Sequence, residues 1–458
     1  MISIDSHLGA IKSDAREFLD EQQILQLCRE HDYWPEADGE LDPATLIALF
    51  MQQIACGNVS CQEVRLMGQG RFSASGYCQA RMRLPLGVIQ TLARQTYQEF
   101  ADAADRDEQY RFHGHRVLLM DSSSFSMPDT PELQEHFGQP SAQKAGCGFP
   151  VAHVLMLFNA RTGLAVDAIT APLRTHEMSI AAGTHQHMKD GDLAVGDDSF
   201  GTYAHLALLS QRGLHGLFPA HHLRIVDFTP HRPCIEPAKA SKDSDAKGLP
   251  RSRWVQPLGH DDQLVEWLKP AQKPRWMTKA QWRELPDTLL VREVRRTITR
   301  PGFRPVTLTS VTTLLDPKAY PPDELFQVRL RRWDVETDLR HLKTTMGMEV
   351  LHCKSVDGVH KELWMFLLIY NLVRAVMLQA AARQKVPLSR ISFAGALQWM
   401  RHAQRGDSLP DLAVVPQRPN RLEPRAVKRR PKEYDRLTRP RAIMREEARQ
   451  KMGDNVVR

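Results

Sequence analysis

Residues 115–125 read HRVLLMDSSSF, an apolar run over 117–120 that stops on Asp121 and three serines. Unbroken apolar residues suit a short strand covered on both faces, as in the interior of a sheet flanked by helices. A carboxylate at the end of such a strand does not help packing, since a buried charge needs a partner or a cation. Ser122, Ser123 and Ser124 lack an adjacent Ser/His/Asp arrangement, so they are read as holding the carboxylate or the turn rather than as nucleophiles.

The pattern continues with strands at 151–158 and 164–169, joined by Asn-Ala-Arg-Thr-Gly, a hairpin loop that closes on Gly163. A helical piece at 177–188, a strand at 193–195, a helix at 203–211 and a strand near Leu217 follow. Three antiparallel strands followed by parallel crossovers give the order β-β-β-α-β-α-β. This is a ribonuclease H-like α/β fold, a mixed sheet with flanking helices. Its first and fourth strands lie side by side and parallel. Asp121, ending the first, and Asp197, following the fourth in LAVGDDSF, therefore meet. Paired carboxylates of this kind suit Mg²⁺ or Mn²⁺, hard cations that complete their shells with water and phosphate.

Around this core the chain divides into five stretches. Residues 1–110 carry helical periodicity with Pro43 and Pro85 at helix starts, and form a helical N-terminal domain. Residues 111–220 are the first part of the core. Residues 221–320 interrupt it with a β-rich insertion, whose strand-like segments are TLLVREVRRTI and VTLTSVTTLL. Helical periodicity returns over 321–410, and a basic Pro-rich tail occupies 411–458. The apolar run 363–373 is broken by Asn371, falls short of the roughly 18 residues that span a bilayer, and reads as a buried helix.

The net charge of +7 sits in one place. Residues 418–451 hold 13 Lys and Arg against 5 Asp and Glu, so the remainder is close to neutral. The proline content of this tail reads as a chain that does not pack, a solvated end or a nonspecific DNA tether, with folding against a second subunit as the alternative. The seven cysteines form no CxxC pair and read as reduced thiols. The first residues lack the basic start and apolar stretch of an export signal, so the expected location is cytoplasmic. His185 and His187 are not expected to bind metal, because on a helix they point to different faces.

A third acid comes from RRWDVETDLRHLK, where Arg332, Glu336 and Lys343 share one face of a straight helix and Leu339, Leu342 and Met346 form its apolar side. One acid between two bases suits a metal-bound phosphodiester, with Glu336 on metal and Arg332 and Lys343 on phosphate.

At this point the chain resembles the DDE transposases of bacterial insertion sequences, in the insertion-sequence-four branch whose third motif is Tyr-x2-Arg-x3-Glu-x6-Lys. The likeness runs from about residue 76 to 381 through YCQARMRLPL, MDSSSFSMPDTPE, GDDSFGTYAHLALL, LRRWDVETDLRHLK and KELWMFLLIYNLVR. It implies Asp121, Asp197 and Glu336 as a catalytic metal-binding triad holding two Mg²⁺, with Mn²⁺ able to substitute. It further implies cut-and-paste transposition on double-stranded DNA, from terminal inverted repeats to target, by a homodimer in the synaptic complex. Arg329, Arg332 and Lys343 are the expected DNA-binding cations. Arg329 stands where the third motif has Tyr, Asp198 where relatives commonly have Arg, and Pro305 near the place of a Trp that holds a flipped base in some relatives. Two other readings remain open: a metal-dependent nuclease of the same fold without strand joining, and a DNA-binding protein that has lost catalysis.

Overall fold

The computed structural model describes residues 21–34, 40–105, 111–235, 248–299, 305–402, 408–416 and 434–456. Five helices open the described chain: α1 (Glu21–Glu30), α2 (Pro43–Ala55), α3 (Cys61–Met67), α4 (Ala74–Arg83) and α5 (Leu86–Asp105). Their starts follow local chemistry. The Asp42 carboxylate accepts the N–H groups of Ala44 and Thr45 at 3.0 Å each, with Pro43 in the first turn, where its missing N–H costs nothing.

One nine-stranded sheet follows, in the order β3-β2-β1-β4-β5-β9-β8-β7-β6. Its first half comprises β1 (Val117–Ser126), β2 (Val151–Asn159), β3 (Ala165–Pro172), β4 (Leu193–Val195) and β5 (His215–Pro219). Between them lie α6 (Pro131–His136), α7 (Glu177–Thr184) and α8 (Tyr203–Gln211). Strands β1, β2 and β3 are antiparallel, whereas β4 and β5 run parallel to β1. This is the ribonuclease H-like order. Residues 117–120 and 193–195 are buried throughout, because helices cover both faces of the sheet.

The strands of the insertion form no separate layer. β6 (Ser252–Gly259), β7 (Asp262–Leu268), β8 (Thr288–Ile298) and β9 (Val306–Thr312) make an antiparallel meander that extends the same sheet, joined by the pairing of β9 with β5. The helix α9 (Lys279–Glu284) lies between β7 and β8. Buried charge inside the meander is fully paired: Arg292 grips Asp262 through two bonds of 2.8 and 2.7 Å, and Glu293 accepts from Trp267 and Gln263 at 3.0 Å each. Trp267 is thus a core residue.

After α10 (Pro322–Leu330) and α11 (Arg332–Arg340), the chain enters α12 (Val356–Gln384), then α13 (Phe393–His402). α12 is long and apolar enough to cross a membrane, but it is the buried spine of this fold, packed between α5, α2 and the sheet. Its polar side chains satisfy the backbone it covers. Asn371 bonds both the N–H and the C=O of Ala165, and Tyr370 donates to the Gly163 carbonyl. Glu362 accepts from Asn58 and from the His352 and Cys353 N–H groups, which fastens the N-terminal helices to the core.

The end of the tail contradicts the non-packing expectation. Residues 417–433, which include much of its charge, lie outside the described residues. Residues 434–440 and α14 (Arg441–Val456) dock on the loop after α6. Leu437 N–H donates to the Cys147 carbonyl at 2.7 Å, Arg441 N–H to Gly146 at 3.0 Å, and the Arg441 guanidinium to Asp129 at 2.9 Å. Gly146 has φ +78°, and Pro440 lies 3.5 Å from where its Cβ would stand. Backbone bonds and an ion pair, which composition does not reveal, hold this segment.

Candidate active site

The parallel pairing of β1 with β4 runs from Val117↔Leu193 to Leu119↔Val195. Two residues further along each strand stand Asp121 and Asp197, so the register itself sets them abreast. Asp121 is not the end of its strand, however. β2 continues to pair with β1 as far as Ser126↔Val151, because β4 stops earlier than β2 does. Asp121 lies inside β1 on one side and at the edge of the ladder on the other.

Each aspartate is held by its neighbours. An Asp121 oxygen accepts from Ser122 N–H at 2.8 Å. An Asp197 oxygen caps a 3₁₀ turn over Asp198–Phe200, accepting from the Ser199 N–H at 2.9 Å and the Ser199 hydroxyl at 2.7 Å. Burial pushes the Asp121 carboxyl up to about 6; the Ser122 N–H and Arg332 oppose this, and the charges of Asp197 and Glu177 add to it. A site that favours a proton on its carboxylate under these conditions is one that a cation relieves, and oxygen-only donors fit a hard divalent ion.

Asp198 turns away. Its Oδ2 lies 3.2 Å from His222 Nδ1. With His221, these side chains form the only group of three or more His, Cys, Asp or Glu among the described residues whose ligand atoms all lie within 4.8 Å of one another. The carboxylates of Asp121, Asp197 and Glu336 are not drawn together to that degree.

α11 packs against β1 and carries Glu336, 58% exposed, in an ion pair of 3.1 Å with Arg332 one turn earlier. The helix does not stay regular down to Lys343. A π-helical turn covers His341–Thr345, a wider winding that shifts the phase of the residues it contains. Lys343 Nζ donates to the Ser123 hydroxyl at 3.1 Å and the Ser124 carbonyl at 2.7 Å, so it grips β1 just past Asp121. The straight-helix face drawn through Arg332, Glu336 and Lys343 is broken at this turn. Leu339, Leu342 and Met346 are buried beneath it.

Arg329, on α10, is half-buried. One of its terminal nitrogens is buried with no hydrogen-bond partner, and burial, with help from Arg332, pulls its guanidinium down to about 10. It lines a cavity of about 490 Å³ beside His221, His222, Arg224 and Arg295.

One acid at the site is absent from the sequence reading. Glu177, the first residue of α7, accepts from the Ser122 hydroxyl, lies 2.8 Å from the Ser199 hydroxyl, whose single proton it shares with Asp197, and lies 3.6 Å from the His153 ring. The His153 bond, against the cost of burial and helped by the two serines, holds its carboxyl down at about 2. No sequence spacing marks it; only the packing of α7 on β2 and β3 brings it there. The two histidines of the HQH segment go to separate partners, His185 to His205 at 3.0 Å and His187 to Asp167 at 3.1 Å.

Comparison with known proteins finds a family. The family described as Transposase DDE domain matches residues 112–372, more than half of the chain. The transposase InsG for insertion sequence element IS4 of Escherichia coli (strain K12) is 26% identical over 398 residues, 81% of this chain and 80% of that protein. The putative transposase InsZ of the same organism is 30% identical over 156 residues, 33% of this chain and 52% of its own length. Among solved structures, a cryo-EM structure of the piggyBac transposase synaptic complex with hairpin DNA is similar at a TM-score of 0.40 and 9% identity, covering 88% of this chain and 80% of that one.

Proposed function

The chain belongs to the DDE transposases, metal-dependent enzymes that cleave and transfer DNA strands, and on that premise we propose that it cuts the ends of its own insertion sequence and joins them to target DNA. The observation that carries the reading is the pairing of Asp121 and Asp197 just beyond the end of the β1–β4 ladder, with α11 laid against β1. In this reading Asp121, Asp197 and Glu336 are the ligands of two Mg²⁺ ions. When bound, such ions supply Lewis acidity at the attacking and leaving oxygens of an in-line displacement.

The remaining work falls to the protein's own groups. Arg332 and Arg329 supply fixed positive charge for DNA phosphates, and Lys343, anchored on Ser123 and Ser124, sets a cation along the same strand. Both steps exchange one phosphodiester oxygen for another, so the reaction draws on no nucleotide cofactor. The N-terminal stretch, residues 1–110, recognises the element's terminal repeats, two copies of the chain assemble in the synaptic complex, and the reaction takes place on cytoplasmic DNA.

The test is a pair of assays with Mg²⁺: cleavage of a duplex carrying the element's end, and joining of a pre-cut 3′-OH end to plasmid. Wild-type protein is expected to do both. Asp121→Ala, Asp197→Ala and Glu336→Ala are each expected to lose both while keeping gel-shift affinity for the end, and Asp198→Ala should be far milder. Cleavage without joining identifies a nuclease; neither activity, with binding intact, identifies a DNA-binding protein that has lost catalysis.

A further inference from the structure

The strands that carry Asp121 and Asp197 are neighbours, yet their hydrogen-bonded ladder ends at Leu119↔Val195, short of both acids. Backbone pairing between β1 and β4 therefore does not hold the two carboxylates at a fixed separation. A side chain from elsewhere spans the gap. Glu177 accepts from the hydroxyl of Ser122, the residue after Asp121, and faces that of Ser199, which lies in the turn that Asp197 caps. The Ser199 hydroxyl lies 2.8 Å from a Glu177 oxygen and 2.7 Å from an Asp197 oxygen, one hydroxyl between two carboxylates.

The strut is braced from behind. The His153 ring, on β2, faces Glu177 at 3.6 Å, and its Nδ1 lies 3.2 Å from the Thr175 carbonyl, so Nε2 is the nitrogen turned to Glu177. Glu177 also opens α7, where the His176 side chain accepts the Met178 N–H, and a carboxylate in the first helical turn is favoured by the helix dipole. Three elements, β1, β2 and the turn after β4, thus converge on one carboxylate, carried by α7, that makes no hydrogen bond to either proposed ligand.

We propose that Glu177 is a positioning residue for the metal site, fixing the distance between Asp121 and Asp197 through Ser122 and Ser199. The inference rests on the assignment of Asp121 and Asp197 as ligands. Metal–oxygen distances of about 2.0–2.1 Å for Mg²⁺ leave little tolerance, so a ligand pair that drifts loses affinity for the ion before the protein loses its fold. Outer partners of metal ligands are commonly worth about 10–100-fold in metal affinity or activity.

The experiment compares wild type with Glu177→Ala, Glu177→Gln and Ser199→Ala in two measurements: the Mg²⁺ concentration giving half-maximal cleavage of end DNA, and the rise in Tm on adding Mg²⁺ to the protein without DNA. Glu177→Ala is expected to raise the half-maximal concentration about 10–100-fold and to shift the Tm response to higher Mg²⁺ by a similar factor, with cleavage recovering when metal is in excess. Glu177→Gln, which keeps one acceptor oxygen, and Ser199→Ala are expected in between, with Tm values in the absence of metal close to wild type. Unchanged Mg²⁺ requirements in Glu177→Gln and Ser199→Ala overturn the proposal. So does a loss in Glu177→Ala that no Mg²⁺ concentration restores, because Glu177 would then be a ligand itself. Failure of wild-type protein to cleave at any Mg²⁺ concentration strikes the functional reading instead, and a Tm response that still depends on Glu177 in that case upholds the positioning role.

Discussion

The proposed triad is built in two ways. Asp121 and Asp197 grow out of adjacent strands, are partly buried, and are tied to backbone N–H groups and, for Asp197, a serine hydroxyl. Glu336 rides a helix, stands more than half exposed, and is paired only with Arg332 among the bonds described for it. The sheet half is set before any substrate arrives, and burial together with neighbouring acids makes the Asp121 charge costly. The helix half is solvent-exposed at Glu336. Its placement depends instead on how α11 docks on β1 and on the π-helical turn that sends Lys343 into the same strand. On the proposed assignment, preorganised charge in a sheet and an adjustable ligand on a helix divide the binding of a cation between them.

The largest expected effect tests that division directly. Asp121→Asn and Asp197→Asn should abolish the Mg²⁺-induced rise in Tm along with cleavage, whereas Glu336→Gln should abolish cleavage and keep part of the rise. Saturation at 100 times Kd stabilises by about 2.7 kcal/mol, which for a chain of this size is a shift of several degrees. Calorimetry with and without Mg²⁺ reads it. Equal loss in all three variants breaks the distinction and makes the site a single cooperative unit.

The meeting of Asp121 with Asp197 is legible in the sequence because parallel neighbours in a ribonuclease H-like sheet leave little choice of where two strands end. The same reasoning stops at the limits of local pattern. The face shared by Arg332, Glu336 and Lys343 assumes a straight helix, whereas the chain makes a π-helical turn over His341–Thr345 and Lys343 is held by Ser123 and Ser124, a tertiary bond no spacing announces. β6 escapes notice because Pro257 and exposed residues interrupt its alternation, and β7 because polar Asp262, Gln263 and Glu266 break its apolar pattern although the strand is buried, Asp262 being satisfied by Arg292 in the core. Glu177 is a lone acid in its segment, and only the folding of α7 over β2 and β3 gives it two serines to hold.

A smaller effect sharpens the contrast in burial. The Asp121 carboxyl is raised to about 6 in the folded protein, so the native state binds this proton more tightly than the unfolded chain does. The favourable contribution is complete below the unfolded value near 3.8 and is lost as pH rises through about 6. Metal-free Asp121→Asn should therefore be more stable than wild type at neutral pH, on the order of 1–3 kcal/mol, with the gain vanishing towards pH 4. Glu336→Gln, which gives up only an exposed ion pair, should move stability by less than about 1 kcal/mol. Thermal melts in chelator across pH 4–8 distinguish them. A pH-independent gain for Asp121→Asn would mean that side-chain packing, not buried charge, separates the two regions.

The smallest effect concerns the two cations of the helix half, which differ in how they are held. Arg332 pairs with Glu336 at the surface, one turn away on the same helix, an arrangement worth about 0.3–0.5 kcal/mol. Lys343 reaches across to a carbonyl and a hydroxyl of β1, so removing it leaves partners on the strand unsatisfied. Arg332→Ala should leave the Tm almost unchanged, and if Arg332 meets a phosphate it should lower the slope of log affinity against log salt by about 0.9. Lys343→Ala should lower the Tm by more than Arg332→Ala does, whatever it does to the slope. Filter-binding titrations between 50 and 200 mM salt, taken beside melts of the same variants, read both quantities. If Arg332→Ala leaves the salt slope unchanged, Arg332 serves to hold Glu336 rather than DNA, and the adjustable half of the site owes its position to that exposed pair as well as to the grip of Lys343 on the strand.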